Sequence, residues 1–216
     1  CPAPWIKQAS SIAARATGDK PGYDSHIEAG CKRVVLSAPA KDGADLTCVL
    51  GVNDDKLTPD MKTVSNASCT TNCAAPLAKV LHESFGIKRG LLTTVHAYSS
   101  DQSLQNYAHK DFRRSRSAAE NIIPNNNESA RWVELVLPKF AGKLSGYALN
   151  VPVQRGSLLD VNCVMQAGNV TAEQVNEAMR AAAADHPTLI GVTDDPIVSS
   201  DVIGCRQSLV FDSLAT

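Results

Sequence analysis

The stretch Ser65-Asn66-Ala67-Ser68-Cys69-Thr70-Thr71-Asn72-Cys73 limits what this chain can fold into more than any other. It is polar and rich in hydroxyls. On one side stands a short apolar run, and on the other a segment whose apolar residues Ala74, Leu77, Ala78, Leu81 and Phe85 recur at helical spacing. A strand must end and a helix begin within it, and Cys69 falls where the helix opens. Free backbone N–H groups and the positive end of the helix dipole stabilise a thiolate at such a place. Pro76 is read as part of the first helical turn, where a missing N–H is tolerated. Cys73 follows one turn later. Free cysteines are most often small buried hydrophobes. The hydroxyl and amide side chains crowded around Cys69 set it apart from that pattern.

Beyond Gly90, Leu91-Leu92-Thr93-Thr94-Val95-His96-Ala97-Tyr98 reads as a β-branched strand with a histidine near its end. A lone histidine there is more often structural than catalytic. Here a helix leaving Cys69 and a strand arriving at His96 form a return that brings helix start and strand end to one edge. A cysteine and an imidazole are the minimum set for an activated thiol. Cys69 and His96 are therefore the candidate catalytic pair.

Composition narrows the partners. The chain has 216 residues, a net charge of −1 and 44% apolar residues, enough for one large domain or one and a half smaller ones. Balanced charge gives no expectation of a nucleic acid or an acidic membrane surface as partner, and no apolar run is long enough to cross a bilayer. Seven cysteines show neither metal-type pairs nor a disulfide framework, so a reducing, cytoplasmic setting is expected. The first residues, Cys1-Pro2-Ala3-Pro4-Trp5, have no initiator methionine and no signal-peptide pattern, and the chain is read as partial.

In chain order, a strand is expected to close near Ala16-Thr17-Gly18, with a short helix over Tyr23 to Gly30. Strands are expected at Arg33 to Ser37 and at Leu46 to Val52. The alternation fits the tail of a doubly wound α/β domain. Ser100 to Asn127 is polar, arginine-rich and too long for an ordinary connector. Glu128 to Leu137 reads as a helix, Gly146 to Val153 and Ser157 to Met165 as strands, and Thr171 to Ala184 as a helix capped by Thr171 with Glu173 close behind. Ser208 to Phe211 begins a last strand. No G-x-G-x-x-G occurs in the sequence.

The motif from Ser65 to Cys73, Thr94-Val95-His96-Ala97-Tyr98, and His109-Lys110-Asp111-Phe112-Arg113-Arg114 together closely resemble phosphorylating glyceraldehyde-3-phosphate dehydrogenases. The likeness runs with few gaps from about Thr17 to Thr216, and a long motif joined by two others in the same order is highly specific. The resemblance implies an α/β architecture: residues 1–67 are the remnant of a Rossmann-type NAD-binding domain, and residues 68–216 an α+β catalytic domain with a mixed or antiparallel sheet. It implies NAD as cofactor, with NADP left open because the discriminating residue lies upstream, and Thr17 and Ser37 at the nicotinamide end. It implies glyceraldehyde 3-phosphate and inorganic phosphate as substrates, a cytoplasmic glycolytic role, and a homotetramer for the full-length protein. It implies that Cys69 carries a thioester and His96 moves the proton, and that Ser68, Thr70, Ser99, Arg114, Asn127 and Asn150 stand where the family binds substrate and phosphate. Lacking the glycine fingerprint, the chain alone is expected to bind NAD weakly and to be inactive.

Two departures bear on phosphate recognition. The family's Thr-Gly pair is Asn127-Glu128 here, which brings a like charge toward an anion. The family's arginine before Val-Pro is Asn150, and losing one arginine of a phosphate clamp removes ~1.5–3 kcal/mol. Arg155 or Arg131 is the available substitute. Alternative readings are an erythrose-4-phosphate dehydrogenase, a thiol hydrolase or acyltransferase without redox chemistry, and an inactive, degenerate fragment of the family.

Overall fold

The computed structural model describes residues 11–13 by their backbone, together with residues 19–125 and 128–216. Two sheets organise the chain. β1 (Ser11–Ala13), β2 (Val34–Leu36), β3 (Leu46–Thr47) and β4 (Thr63–Ser65) form a parallel sheet in the order β1-β2-β4-β3. Between the first two strands runs α1 (Lys20–Glu28), which opens on the Asp19 carboxylate accepting from the Gly22 N–H. Its Tyr23 packs on Val34 and Leu36 in a small core.

The strand expected over Leu46 to Val52 stops at Thr47. The Asn53 side chain takes the next backbone groups: Oδ1 accepts from the Val49 N–H at 2.8 Å, and Nδ2 donates to the Thr47 carbonyl at 2.9 Å. Local capture by an asparagine thus outcompetes the ladder, and the chain turns away.

The second sheet is mixed. β5 (Ile87–Ala97), β6 (Ile123–Asn125), β7 (Leu144–Val151) and β8 (Ser157–Met165) are ordered β6-β7-β5-β8. β5 runs parallel to β7 and antiparallel to β8, and β6 is antiparallel to β7. Against this sheet pack α2 (Cys69–Phe85) and α3 (Ser129–Val136), with α4 (Ala172–Asp185) against α2. The core joins Ala74, Leu77, Ala78 and Leu81 of α2, Leu92 of β5, Val133 and Val136 of α3, Met179 of α4, and Phe140 just beyond α3. A parallel pair, β9 (Ile190–Thr193) and β10 (Leu209–Asp212), lies past α4.

Pro76 does not sit in the first turn of α2. The helix begins at Cys69, so Pro76 is interior, and its missing N–H withdraws the bond to the Asn72 carbonyl. The helix continues through it because the packed apolar face outweighs that loss. α4 has its cap at Thr171 as expected, but the reciprocal partner is Gln174, three residues beyond the cap, and not Glu173.

Candidate active site

The turn into α2 is built by small polar side chains. Ser65, fully buried at the end of β4, donates its hydroxyl to the Ala38 carbonyl at 2.7 Å and accepts from the Ala67 N–H at 3.1 Å. Ala67 is thereby held at φ 54, in the left-handed region, which costs an alanine roughly 1–2 kcal/mol. The next residue, Ser68, is the N-cap: its hydroxyl accepts from the Thr71 N–H at 3.0 Å. Asn72 ties the turn to the helix by donating to the carbonyls of Asn66 and Ser68.

The result is an exposed Cys69 in the first position of α2, with its sulfur 3.5 Å from His96 Nε2. His96 is the penultimate residue of β5. Its Nδ1 donates to the Ala97 carbonyl at 2.5 Å. A carbonyl can only accept, so Nδ1 carries a proton and Nε2 is the nitrogen presented to sulfur. The hydrogen bond to His96 pulls the Cys69 pKa below its ordinary value. Partial dehydration opposes this, while the imidazole's charge and Thr70's N–H and hydroxyl reinforce it. An imidazolium–thiolate pair at a helix start is an activated nucleophile.

Cys73, one turn along α2, behaves oppositely. Burial, helped by the charge of Cys69, pushes its thiol up to about 11. The unfolded chain ionises the same thiol near 9.0. Stability from Cys73 is thus complete below pH 9 and is lost as pH rises toward 11, by about 2–3 kcal/mol in all. Urea melts on either side of that window should show this loss in the wild type and a smaller one in Cys73→Ala. An equal loss in both proteins would exclude Cys73 as the cause.

Around the pair, the structure brings some of the expected binding residues together and leaves others apart. His96 on β5 and Asn150 on β7 are direct register partners. Asn150 is buried; its Nδ2 donates to the Ala97 carbonyl at 3.3 Å, and its Oδ1 accepts from Asn125 Nδ2 at 3.1 Å. Arg114 donates through Nη2 to Asn125 Oδ1 at 2.8 Å and through Nη1 to Asp101 at 3.2 Å, with Asp111 at 3.5 Å from Nε. Ser99 donates its N–H and its hydroxyl to the buried Gln102 carboxamide. Thr70 is half-buried beside the sulfur. Ser37 is exposed at the carboxyl end of β2. Thr17 and Asn127 lie outside the described residues. Among the described residues no cluster suits a metal ion, and no helix is long and apolar enough to cross a membrane.

A family model described as glyceraldehyde 3-phosphate dehydrogenase, C-terminal domain, matches residues 68–216. The chain belongs to the glyceraldehyde 3-phosphate dehydrogenase family. Among its relatives is the glyceraldehyde-3-phosphate dehydrogenase of Borreliella burgdorferi, 49% identical over 224 residues, covering 99% of this chain and 66% of the relative. Glyceraldehyde-3-phosphate dehydrogenase 1 of Bacillus subtilis is 46% identical over 217 residues, covering 98% of this chain and 64% of the relative. The corresponding protein of Borrelia hermsii is 48% identical over 213 residues, covering 93% and 80%. The chain thus spans just under two thirds of the length of the first two relatives.

The match to the glyceraldehyde 3-phosphate dehydrogenase C-terminal domain opens on Ser68, the N-cap of α2, and includes Cys69, His96, Arg114 and Asn150. Two of the residues carried over from the family have partners within the chain. The Ser68 hydroxyl is engaged by the first turn of α2, at Thr71 N–H and at 2.7 Å from the Thr71 hydroxyl. Arg131, one of the two substitutes for the missing arginine, is exposed and paired with Glu128 at 3.4 Å, a contact of little energetic weight. Sequence reasoning missed Asn125, Asp101 and Gln102. Of these, Asn125 was the legible one, since an asparagine directly after Ile122-Ile123-Pro124 puts a polar carboxamide onto a strand.

Proposed function

We propose that the chain serves NAD-dependent oxidation of glyceraldehyde 3-phosphate to 1,3-bisphosphoglycerate, with Cys69 as nucleophile and His96 as general base. One observation carries the reading: Cys69 Sγ and His96 Nε2 lie 3.5 Å apart, with the proton of the imidazole committed to Ala97 on the far side. Residues 1–67 are read as the closing part of a Rossmann-type NAD-binding domain and residues 68–216 as the catalytic domain. A cytoplasmic homotetramer is the assembly expected for the complete protein.

The donor set fits the nicotinamide end of NAD. β2 and β4 are parallel, and at their shared carboxyl edge stand Ser37, exposed, and the turn that delivers Cys69. Ligands of open α/β sheets bind at that edge. Ser37 would hold the nicotinamide ring, which supplies a hydride acceptor when bound.

Each remaining step belongs to the chain. The Cys69 thiolate adds to the aldehyde carbon and forms a thiohemiacetal. Its oxygen is met by the N–H groups at the start of α2 and by His96. His96 Nε2 removes the hydroxyl proton as the carbon loses its hydride, leaving a thioester on sulfur. Inorganic phosphate then attacks the thioester carbon, an acyl phosphate leaves, and the sulfur departs as thiolate. Thr70, Ser99 and Arg114 offer hydroxyls and a guanidinium to the phosphate groups. There the anion competes with Asp101 and Asp111 for the arginine.

The test is competitive alkylation with iodoacetamide near neutral pH, read peptide by peptide. Cys69 should react faster than the other six thiols by about tenfold or more. In parallel, in the full-length protein NADH formation should require phosphate, prefer glyceraldehyde 3-phosphate to erythrose 4-phosphate, and vanish in Cys69→Ser. Uniform labelling of the seven thiols, or phosphate-independent turnover, would rule the reading out.

A further inference from the structure

Asn150 and Asn125 form a directed chain of hydrogen bonds that meets the histidine at the Ala97 carbonyl. Arg114 Nη2 donates to Asn125 Oδ1 at 2.8 Å, Asn125 Nδ2 donates to Asn150 Oδ1 at 3.1 Å, and Asn150 Nδ2 donates to the Ala97 carbonyl at 3.3 Å. The same carbonyl accepts from His96 Nδ1. Both ends fix the direction. A guanidinium can only donate and a carbonyl can only accept, so each carboxamide between them has one workable orientation. Neither amide can flip without placing two donors or two acceptors face to face.

Asn150 is 5% exposed and lies in register with His96 across the β5–β7 ladder. A buried carboxamide with no packing duty would be a liability, since an unsatisfied one costs about 1–3 kcal/mol. Here both of its ends are satisfied, and one of them reaches the atom that sets the histidine's tautomer. With two donors on it, the Ala97 carbonyl has no lone pair left over to draw the imidazole into another rotamer.

We propose that Asn150, oriented by Asn125, is a positioning residue for His96. It holds the Ala97 carbonyl in place so that Nδ1 keeps its proton and Nε2 stays aimed at Cys69. It acts through the Ala97 carbonyl, to which both Asn150 Nδ2 and His96 Nδ1 donate. The charged groups at the far end of the chain are Arg114 with Asp101 and Asp111, and on α2 the titratable neighbour of Cys69 is Cys73. The inference rests on the Cys69–His96 reading above.

The experiment compares the wild type with Asn150→Leu, which keeps the shape and removes both polar ends, and with Asn125→Leu, on the short strand β6, where the risk to folding is smaller. Two signals are read. One is the pH profile of Cys69 alkylation. The other is the His96 tautomer in nitrogen-15 spectra of the imidazoles, assigned as the resonance lost in His96→Gln. In Asn150→Leu the profile moves to higher pH, the neutral-pH rate falls about fivefold, as expected for losing one neutral hydrogen bond, and the tautomers mix. Asn125→Leu changes both signals in the same direction by less. Cys73 and Cys163 stay protected in both variants. The assignment is overturned if Asn150→Leu keeps the wild-type profile and tautomer, or if slowing comes together with exposure of Cys73 and Cys163. A wild type whose Cys69 is no faster than its other thiols removes the proposed function and this inference together, so the two failures are told apart by the control.

Discussion

In His96→Gln, alkylation of Cys69 at neutral pH is expected to slow by about a hundredfold, the lower range for losing a positioned acid–base group. The largest influence lowering the Cys69 pKa is the hydrogen bond to His96, and the next influence, dehydration, acts in the opposite direction. Removing the imidazole therefore leaves dehydration to act against the weaker help from Thr70, and the thiol moves back toward or past its ordinary value. Each unit of that movement removes tenfold of the thiolate present at neutral pH. Glutamine can still hydrogen-bond, but it cannot carry the positive charge. The profile should thus shift along the pH axis while its upper plateau, set by the fully ionised thiol, stays close to the wild type. Folding should weaken by only about 1 kcal/mol, the worth of the Nδ1 bond to Ala97. A neutral-pH rate matching the wild type would show that the helix start alone activates Cys69.

That pair was legible because both halves are local. Helical spacing after Cys73 locates a helix start at Cys69, and β-branched residues before His96 locate a strand end. The parallel sheet likewise follows from the alternation of strand, helix and strand, whereas the mixed sheet was expected from the family resemblance alone. What could not be read depends on side chains meeting across the chain. Leu46 to Val52 has the composition of a strand, yet the Asn53 carboxamide intercepts its backbone. Ala67 in a left-handed conformation leaves no trace in the sequence, because alanine rarely adopts it and Ser65 imposes it here. Pro76 argues against a helix interior on propensity, and only the packed face of α2 shows why one persists. The same holds for Asn150. By position it is an arginine lost from an anion site, but in the sheet it is a buried carboxamide tied to the histidine's own backbone.

Phe140→Ala is expected to produce the opposite pattern, a large loss of stability with little change at the sulfur. Phe140 is fully buried in the short turn after α3 and meets the His82 ring edge-on at 4.9 Å. Truncating such a ring costs about 3–5 kcal/mol through lost burial and the cavity left behind. For a chain of this length that lowers the melting temperature by on the order of 10 °C. His82 sits near the far end of α2, about 20 Å along the helix from Cys69. The N-terminal turn has its own supports in Ser65, Ser68 and Asn72, none of which involves Phe140. Well below its melting temperature the variant should therefore keep the wild-type pH profile of Cys69 alkylation, while its denaturant midpoint drops. If instead the profile shifts in step with stability, α2 transmits core packing to its first turn, and the reactivity of Cys69 is a property of the whole helix. An unchanged profile, set beside the shift in His96→Gln, would locate the activation of Cys69 in the contact between two side chains.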